Sequence, residues 1–320
     1  MPVVGLGVAG MRSVKVPRKA RWVVACLLGA TALTPLGAAA QDATWIGTTS
    51  DYGTASNWTG GVVPGANGTA TFGARGTRYI NFNNFSVGTF QFDSSAQANI
   101  FTTDRSVQFT SRGIVNNSSY HPLFNVVNAS LYLSGEASAG NAEFALVNGT
   151  LELINDGATL ANAGISAGNG SSVVIVIGTG GQARLSLHDT SSLILDVNAS
   201  IGSIDGPDGQ VVLNYGAQLV VGGNNLSTSY GGQIAGVGGS IVKEGTGTWT
   251  LSGANSYTNG TTINAGAISI SADNNLGFAS GALAFGGGTL QTTADITMSR
   301  ATTLNSGGGT FDVATGTTRS

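Results

Sequence analysis

Beyond residue 40, apolar and polar positions alternate in short bursts rather than on a helical beat. In Thr248–Leu251 and Ala267–Ile270 the large side chains Trp249, Leu251, Ile268 and Ile270 return every second residue. That is the period of a half-buried strand. The same beat marks Tyr79–Phe85, Gly88–Phe92, Leu131–Leu133, Thr150–Ile154, Val173–Ile177, Ala183–Leu187, Leu193–Val197, Gln210–Leu213, Gln218–Val221, Thr261–Ile263, Leu283–Phe285, Gly288–Gln291 and Thr310–Val313. No long segment there carries apolar residues at i, i+3, i+4 and i+7 between caps, so no helix is predicted. Turn-forming pieces such as Asn148-Gly149, Gly168-Asn169-Gly170 and Gly286-Gly287-Gly288 separate the runs.

Short strands at such intervals suit a hairpin sandwich, a propeller or a solenoid of parallel strands. The solenoid accounts for more of the sequence. The chain is long for one sandwich, no domain break is visible, and Asn, Thr, Ser and Gly dominate the spacers. In a parallel β-helix each coil lies about 4.8 Å above the last, so every side chain sits over its counterpart. Like charges in such a column repel, whereas Val, Ile, Thr and Asn stack. Glycine and asparagine supply the left-handed corners. The predicted fold is all-β, a parallel β-helix of about ten or eleven coils of roughly 20–25 residues.

The first forty residues read differently. Arg12, Lys15, Arg18, Lys19 and Arg21 make a basic start, Trp22 to Pro35 is uncharged and mostly apolar, and Ala38 and Ala40 close the segment. Basic, then apolar, then Ala-x-Ala is the order of a secretory signal peptide, with cleavage expected between Ala40 and Gln41. The apolar run, roughly 14 residues, is short for a membrane span.

Cleavage would change the charge. Of 13 basic residues, the five just named are lost, and all 16 acidic residues lie beyond Ala40, so the net charge moves from −3 to −8. Such a chain is repelled by nucleic acid and by anionic lipid. Cys26 is lost too, which excludes a disulfide, a thiolate metal site or a thiol nucleophile. Five of the 50 glycines precede Ala40, which leaves about 16 % glycine, roughly twice ordinary usage. Disorder would bring high charge and few β-branched residues, and this chain has the reverse.

The stretch from Gly239 to Gly266 resembles the autotransporter-associated β-strand repeat of type V secreted proteins. The resemblance rests on Lys243, Gly245, Gly247, Thr248, Leu251, Ser252, Gly253, Asn255, Tyr257, Gly260, Thr261, Thr262, Ile263 and Gly266. Trp249 stands where that family usually has leucine, and Asn259 and Ala267 also depart from it. The opening segment, with Trp45-Ile-Gly, Asn57-Trp58, Pro64-Gly and Thr71-Phe-Gly, looks like the start of many such passengers. Trp45, Trp58 and Pro64 are assigned to a cap on the open end of the solenoid.

The resemblance implies a right-handed β-helical passenger on the cell surface of a Gram-negative bacterium. It also implies an outer-membrane β-barrel translocator as partner. Residues 271–320 lack the 10-residue amphipathic strands of such a barrel. The expected organisation is a signal peptide at 1–40, a capping segment at 41–75 and a passenger at 76–320, with one full repeat at 239–270. The barrel is absent, as in a fragment or truncated product.

Candidate chemistry is sparse. Asp205-Gly-Pro-Asp208, with Asp196 nearby, is the best acidic cluster and also a turn. His188-Asp189 is the one adjacent His-Asp pair, and no Gly-x-Ser-x-Gly turn accompanies it. No cofactor, metal or catalytic residue is assigned. The leading expectation is a non-enzymatic stalk or adhesin that binds glycans, a host surface or its own copies. The alternative is a β-helical polysaccharide lyase or hydrolase, which a groove holding two or more of Asp189, Asp196, Asp205 and Asp208 would favour.

Overall fold

Register decides this architecture. The computed structural model describes residues 41–155 and 157–315, and the expected signal peptide lies outside them, ending just before Gln41. Every pairing between the named strands of this unit is parallel, and four sheets result. Successive strands of a sheet lie 18 residues (Ser192 to Gln210) to 27 residues (Ala43 to Ala70) apart in sequence, so each step is one coil of a solenoid. The chain makes a parallel β-solenoid of about twelve turns with almost no helix.

The first sheet runs from Ala43–Thr44 to Gln233–Ala235. Its inward column stacks Leu131, Leu151, Val173, Leu193, Val211 and Ile234, one above another, all buried. The second sheet, from Tyr79–Asn81 to Ser203–Asp205, stacks Ile80, Phe101, Phe124, Phe144, Ile165, Leu185 and Ile204. Phe124 lies face to face with Phe101 (4.8 Å) and with Phe144 (5.3 Å). A third sheet begins at Ala199–Ile201, and a fourth, from Thr228–Tyr230, takes over from the second across the Gly206–Tyr230 bridge.

Corners are built as ladders too. Asn128, Asn148, Asn169 and Asp189 occupy one corner, each with φ between 49° and 58°. These are residue types that tolerate left-handed backbone. The Asn148 amide donates to Asn128 Oδ1 (2.8 Å), and the backbone N–H of Asn169 donates to Asp189 Oδ2 (3.3 Å).

The alternating runs are strands, several with the ends read from the sequence. Strands Leu123–Val127 and Glu143–Val147 were not visible there. Their outward residues include Val127, Ala145 and Val147, so apolar and polar positions do not alternate. Ser240–Lys243 was hidden for another reason. Its last inward position is a lysine.

The phenylalanine column gives a first prediction. Phe124→Ala should cost about 3–5 kcal/mol, as for other buried aromatic truncations. A urea midpoint equal to wild type, followed by tryptophan fluorescence, would show that the stack contributes nothing.

Candidate functional site

The first sheet stops at Ala235, although the solenoid continues for further coils. Backbone donors and acceptors at that edge are buried and need partners. Asn255 supplies them. Its Oδ1 accepts from the Ile234 N–H (2.7 Å), and its Nδ2 donates to the Asn275 carbonyl. One coil on, Asn275 Oδ1 accepts from the N–H groups of Ser271 (3.1 Å) and Ala272 (2.9 Å), and Nδ2 donates to the Gly253 carbonyl (2.9 Å). Both asparagines are buried. A side-chain amide carries the same donor and acceptor as a peptide, so a column of asparagines continues the ladder without a strand.

Arg300 closes this column. Its buried guanidinium pairs with the Asp273 carboxylate (2.7 and 3.0 Å) and donates to the carbonyls of Asp273, Leu276, Gly277, Phe278 and Gly281. A buried cation of this kind needs full pairing, and the fork geometry of arginine provides it.

Lys243 stands in the inward column of the third sheet, between Val221 and Ile263. Its amine donates to the carbonyls of Glu244, Gly245 (3.0 Å) and Ala265 (3.4 Å). Burial lowers its pKa, and Glu244 acts in the opposite direction. The lysine thus tethers the turn of its own coil to that of the next.

The remaining motif residues are placed as follows. Trp249, Leu251 and Ile263 are core. The Trp249 indole N–H reaches the Ile204 carbonyl (3.0 Å), in the last strand of the second sheet, a hydrogen bond that leucine cannot make. Tyr257 is buried, and its hydroxyl lies 2.6 Å from Thr261 Oγ1. Burial raises its pKa, against smaller opposing effects of that hydrogen bond and of Arg300. Thr262 faces outward between Val242 and Ala284. Gly245, Gly247 and Gly260 lie beside or in the turns. All five motif glycines are sterically strict, since a Cβ on any of them would clash with backbone. A Cβ on Gly253 would sit 2.0 Å from the Gly232 carbonyl oxygen, and one on Gly266 (φ 58°) would sit 2.4 Å from that of Gly247.

At the other end, Trp45 and Trp58 are buried edge to face (5.0 Å). Trp45 donates to the Thr77 carbonyl (2.9 Å), Trp58 to that of Tyr52 (2.7 Å), and the Tyr52 hydroxyl to that of Pro64 (3.0 Å). Tyr52 was missed in the sequence because nothing periodic surrounds it. Arg300 and Asn275 were missed because they lie outside the repeat.

Two of the four acidic candidates, Asp189 and Asp208, lie together. Asp189 and Asp208 are successive corner rungs, with the Asp189 N–H donating to Asp208 Oδ1 (2.6 Å). Asp205, in the second sheet, accepts from the Ser186 hydroxyl, and Asp196, past a first-sheet strand, from Asn214 (2.8 Å). His121 and Arg184 flank Glu143 on the exposed second sheet (3.4 and 2.8 Å). His188 adjoins the Asp189 corner, its backbone N–H bonded to Ser191 Oγ. Among the described residues, no group of three or more His, Cys, Asp or Glu could hold a metal ion. A shallow groove of about 600 Å³ crosses the fourth sheet, bounded by Thr246, Gly266, Thr289, Gln291, Thr310 and Asp312, among others.

Residues 241–270 match the model of the passenger-associated-transport-repeat. The chain carries the autotransporter passenger repeat. It is also 42% identical over 97 residues to the adhesin BmaC autotransporter of Brucella suis biovar 1 (strain 1330). That match covers 30% of this chain and 3% of the relative, so the chain spans a small part of the relative's length. No solved structure gave a significant match. The matched residues include Asn255, the first of the side chains that continue the first sheet's hydrogen bonds, while Asn275 and Arg300 lie beyond the match.

Asn255→Ala should strand the Ile234 N–H and the Asn275 carbonyl, at about 2–5 kcal/mol together. Hydrogen exchange should speed up at Ile234 and across 253–277. Unchanged protection of those amides would exclude the ladder role.

Proposed function

We propose that the chain is the passenger part of an exported autotransporter, displayed on the Gram-negative cell surface as a non-enzymatic, adhesin-like β-helical stalk. The transport repeat carries this reading, since its motif residues form the side-chain ladder between coils. Resemblance to an adhesin autotransporter supports it further. In this reading the signal peptide is removed between Ala40 and Gln41. Residues 41–75, with Trp45, Trp58 and Pro64, close the N-terminal end, and 76–320 form the passenger. An outer-membrane β-barrel translocator is the partner that moves it across. A surface of stacked Thr, Ser, Asn and Gln offers many hydroxyl and amide groups for glycans on another surface, as in the fourth-sheet groove.

The repeat has a physical task in such a journey. A chain emerging unfolded must form each coil on the one beside it. Lys243 and Asn255 bond carbonyls and N–H groups one coil away, so they reward the correctly registered neighbour. Of the four carboxylates considered for a β-helical lyase or hydrolase, Asp189 and Asp208 are neighbours at one corner, while Asp205 and Asp196 are engaged by Ser186 and Asn214.

Removal of Lys243–Gly266 from the complete protein should slow its display, read as protease-accessible passenger on intact cells over time. Cells displaying the intact protein should adhere to glycan-coated or host-cell surfaces above the level of cells lacking it. Passenger retained in the periplasm would overturn the export reading, and display without adhesion would overturn the adhesin reading.

A further inference from the structure

The shallow groove of the fourth sheet has a floor that the sheet's own columns single out. Two outward columns cross that sheet: Thr248, Ala267, Thr289 and Thr310, and beside them Thr250, Ser269, Gln291 and Asp312. The strand Ala267–Ile270 is buried at all four positions, the outward Ala267 and Ser269 included. Each of those two is shorter than its neighbours in the column, so the surface dips there. Alanine among three threonines breaks the stacking of like residues, and threonine suits an exposed strand better. Ala267 is also a position where the stretch departs from the repeat it resembles. The dip opens onto Thr246 in the coil before and onto Thr289, Gln291, Thr310 and Asp312 in the coils after. Its volume of about 600 Å³ is that of a small-ligand site.

The polar atoms of this groove are mainly acceptors. The Asp312 carboxylate accepts from Gln291 Nε2 (3.1 Å), which orients the amide and leaves its carbonyl oxygen to accept. The Thr246 hydroxyl donates to Asn225 Oδ1 (3.3 Å), so its oxygen accepts as well. Thr289 and Thr310 can serve either way. Among the described residues no lysine, arginine or histidine lines the groove, and Lys243 nearby spends its amine on carbonyls. Acceptors without a cation call for a ligand rich in O–H donors and free of negative charge. The strands under the groove are hydrogen-bonded on both sides, so no edge is open to an extended peptide. Phe311, half-buried and packed on Phe285 (4.9 Å), adds an apolar surface at the rim. An aromatic face beside hydroxyls and amides suits the C–H face of a sugar ring. We propose that this groove binds a neutral oligosaccharide and rejects the sulfated or sialylated forms of the same sugar.

This rests on the adhesin reading for its setting at a cell surface and deepens it, by naming the class of glycan and the residues that meet it. The charge of the exported chain works in the same sense. At −8 after the expected cleavage it repels a polyanion at long range, and Asp312 repels one at contact. Salt screens repulsion between exposed charges. Discrimination against acidic glycans is therefore largest at low ionic strength, whereas a neutral sugar is held equally well at any. An open groove covers one side of its ligand, so a single site is weak. Many copies on one cell add through avidity.

The test is a binding measurement on the purified exported chain against a panel of oligosaccharides. The panel holds neutral tetrasaccharides of hexoses and N-acetylhexosamines, their sulfated and sialylated forms, and cationic deacetylated chito-oligomers. The expected result is binding of a neutral member, unchanged between about 20 and 200 mM salt. Ala267→Thr, which completes the threonine column, should weaken it about tenfold, since one extra methyl-sized group in a fitted site is worth that much. Thr289→Val keeps the shape, loses the hydroxyl and should weaken it too. Asp312→Asn should narrow the gap to the acidic forms at low salt. All three variants should keep the wild-type circular dichroism spectrum. Acidic or cationic forms bound more tightly than neutral ones, or neutral binding indifferent to both Ala267→Thr and Thr289→Val, would overturn the proposal. Cells that still adhere although the chain binds nothing on the panel would defeat the groove alone. Groove-dependent binding in solution without adhesion of displaying cells would defeat the adhesin reading alone.

Discussion

Everything in this molecule answers to one constraint: each residue must be able to lie about 4.8 Å above its counterpart in the coil below. Chemically similar neighbours are the usual result. Phenylalanine stacks on phenylalanine through Phe101, Phe124 and Phe144, and asparagine bonds asparagine at the Asn128–Asn148 corner. The scarcity of charge has the same origin, because a column of like charges cannot be stacked. Where charge does occur it is spaced. Glu143 and Arg184 meet across two coils, over Gly164, where a Cβ would lie 1.9 Å from the Glu143 carboxylate.

A stacked ladder fixes the backbone only where strands continue. Past Ala235 the first sheet has none, and the lateral hydrogen bonds pass to Asn255, Asn275 and Arg300. The third and fourth sheets carry the solenoid on from there. The transport repeat spans this change of faces. Its lysine, asparagine and tryptophan each bond a carbonyl or N–H in another coil, and the Trp249 bond reaches back to Ile204. The matched repeat is thus, in this chain, a set of links between coils.

The same uniformity shapes what the outside can do. Outward positions are mostly hydroxyls and amides, which favour broad and shallow contacts over a deep catalytic cleft. The aliphatic column of Val174, Ile194 and Val212 interrupts that pattern on one face.

The sequence by itself determined the fold class. Period-two runs, glycine and asparagine corners and the lack of charge leave little but stacked parallel strands, because those residue types are what stacking demands. It also marked the repeat, whose glycines and Lys243 stand out locally. It did not reveal what those residues do. Lys243 looks like a surface charge until register places it between Val221 and Ile263, and Asn255 looks like a turn residue until its amide is found joining two coils. Tyr52, Asn275 and Arg300 left no local signal. Their partners are defined by coil length, which varies from 18 to 27 residues, and a one-residue slip turns each side chain to the other face. Only the tertiary structure sets that register, and with it which polar side chains become part of the core.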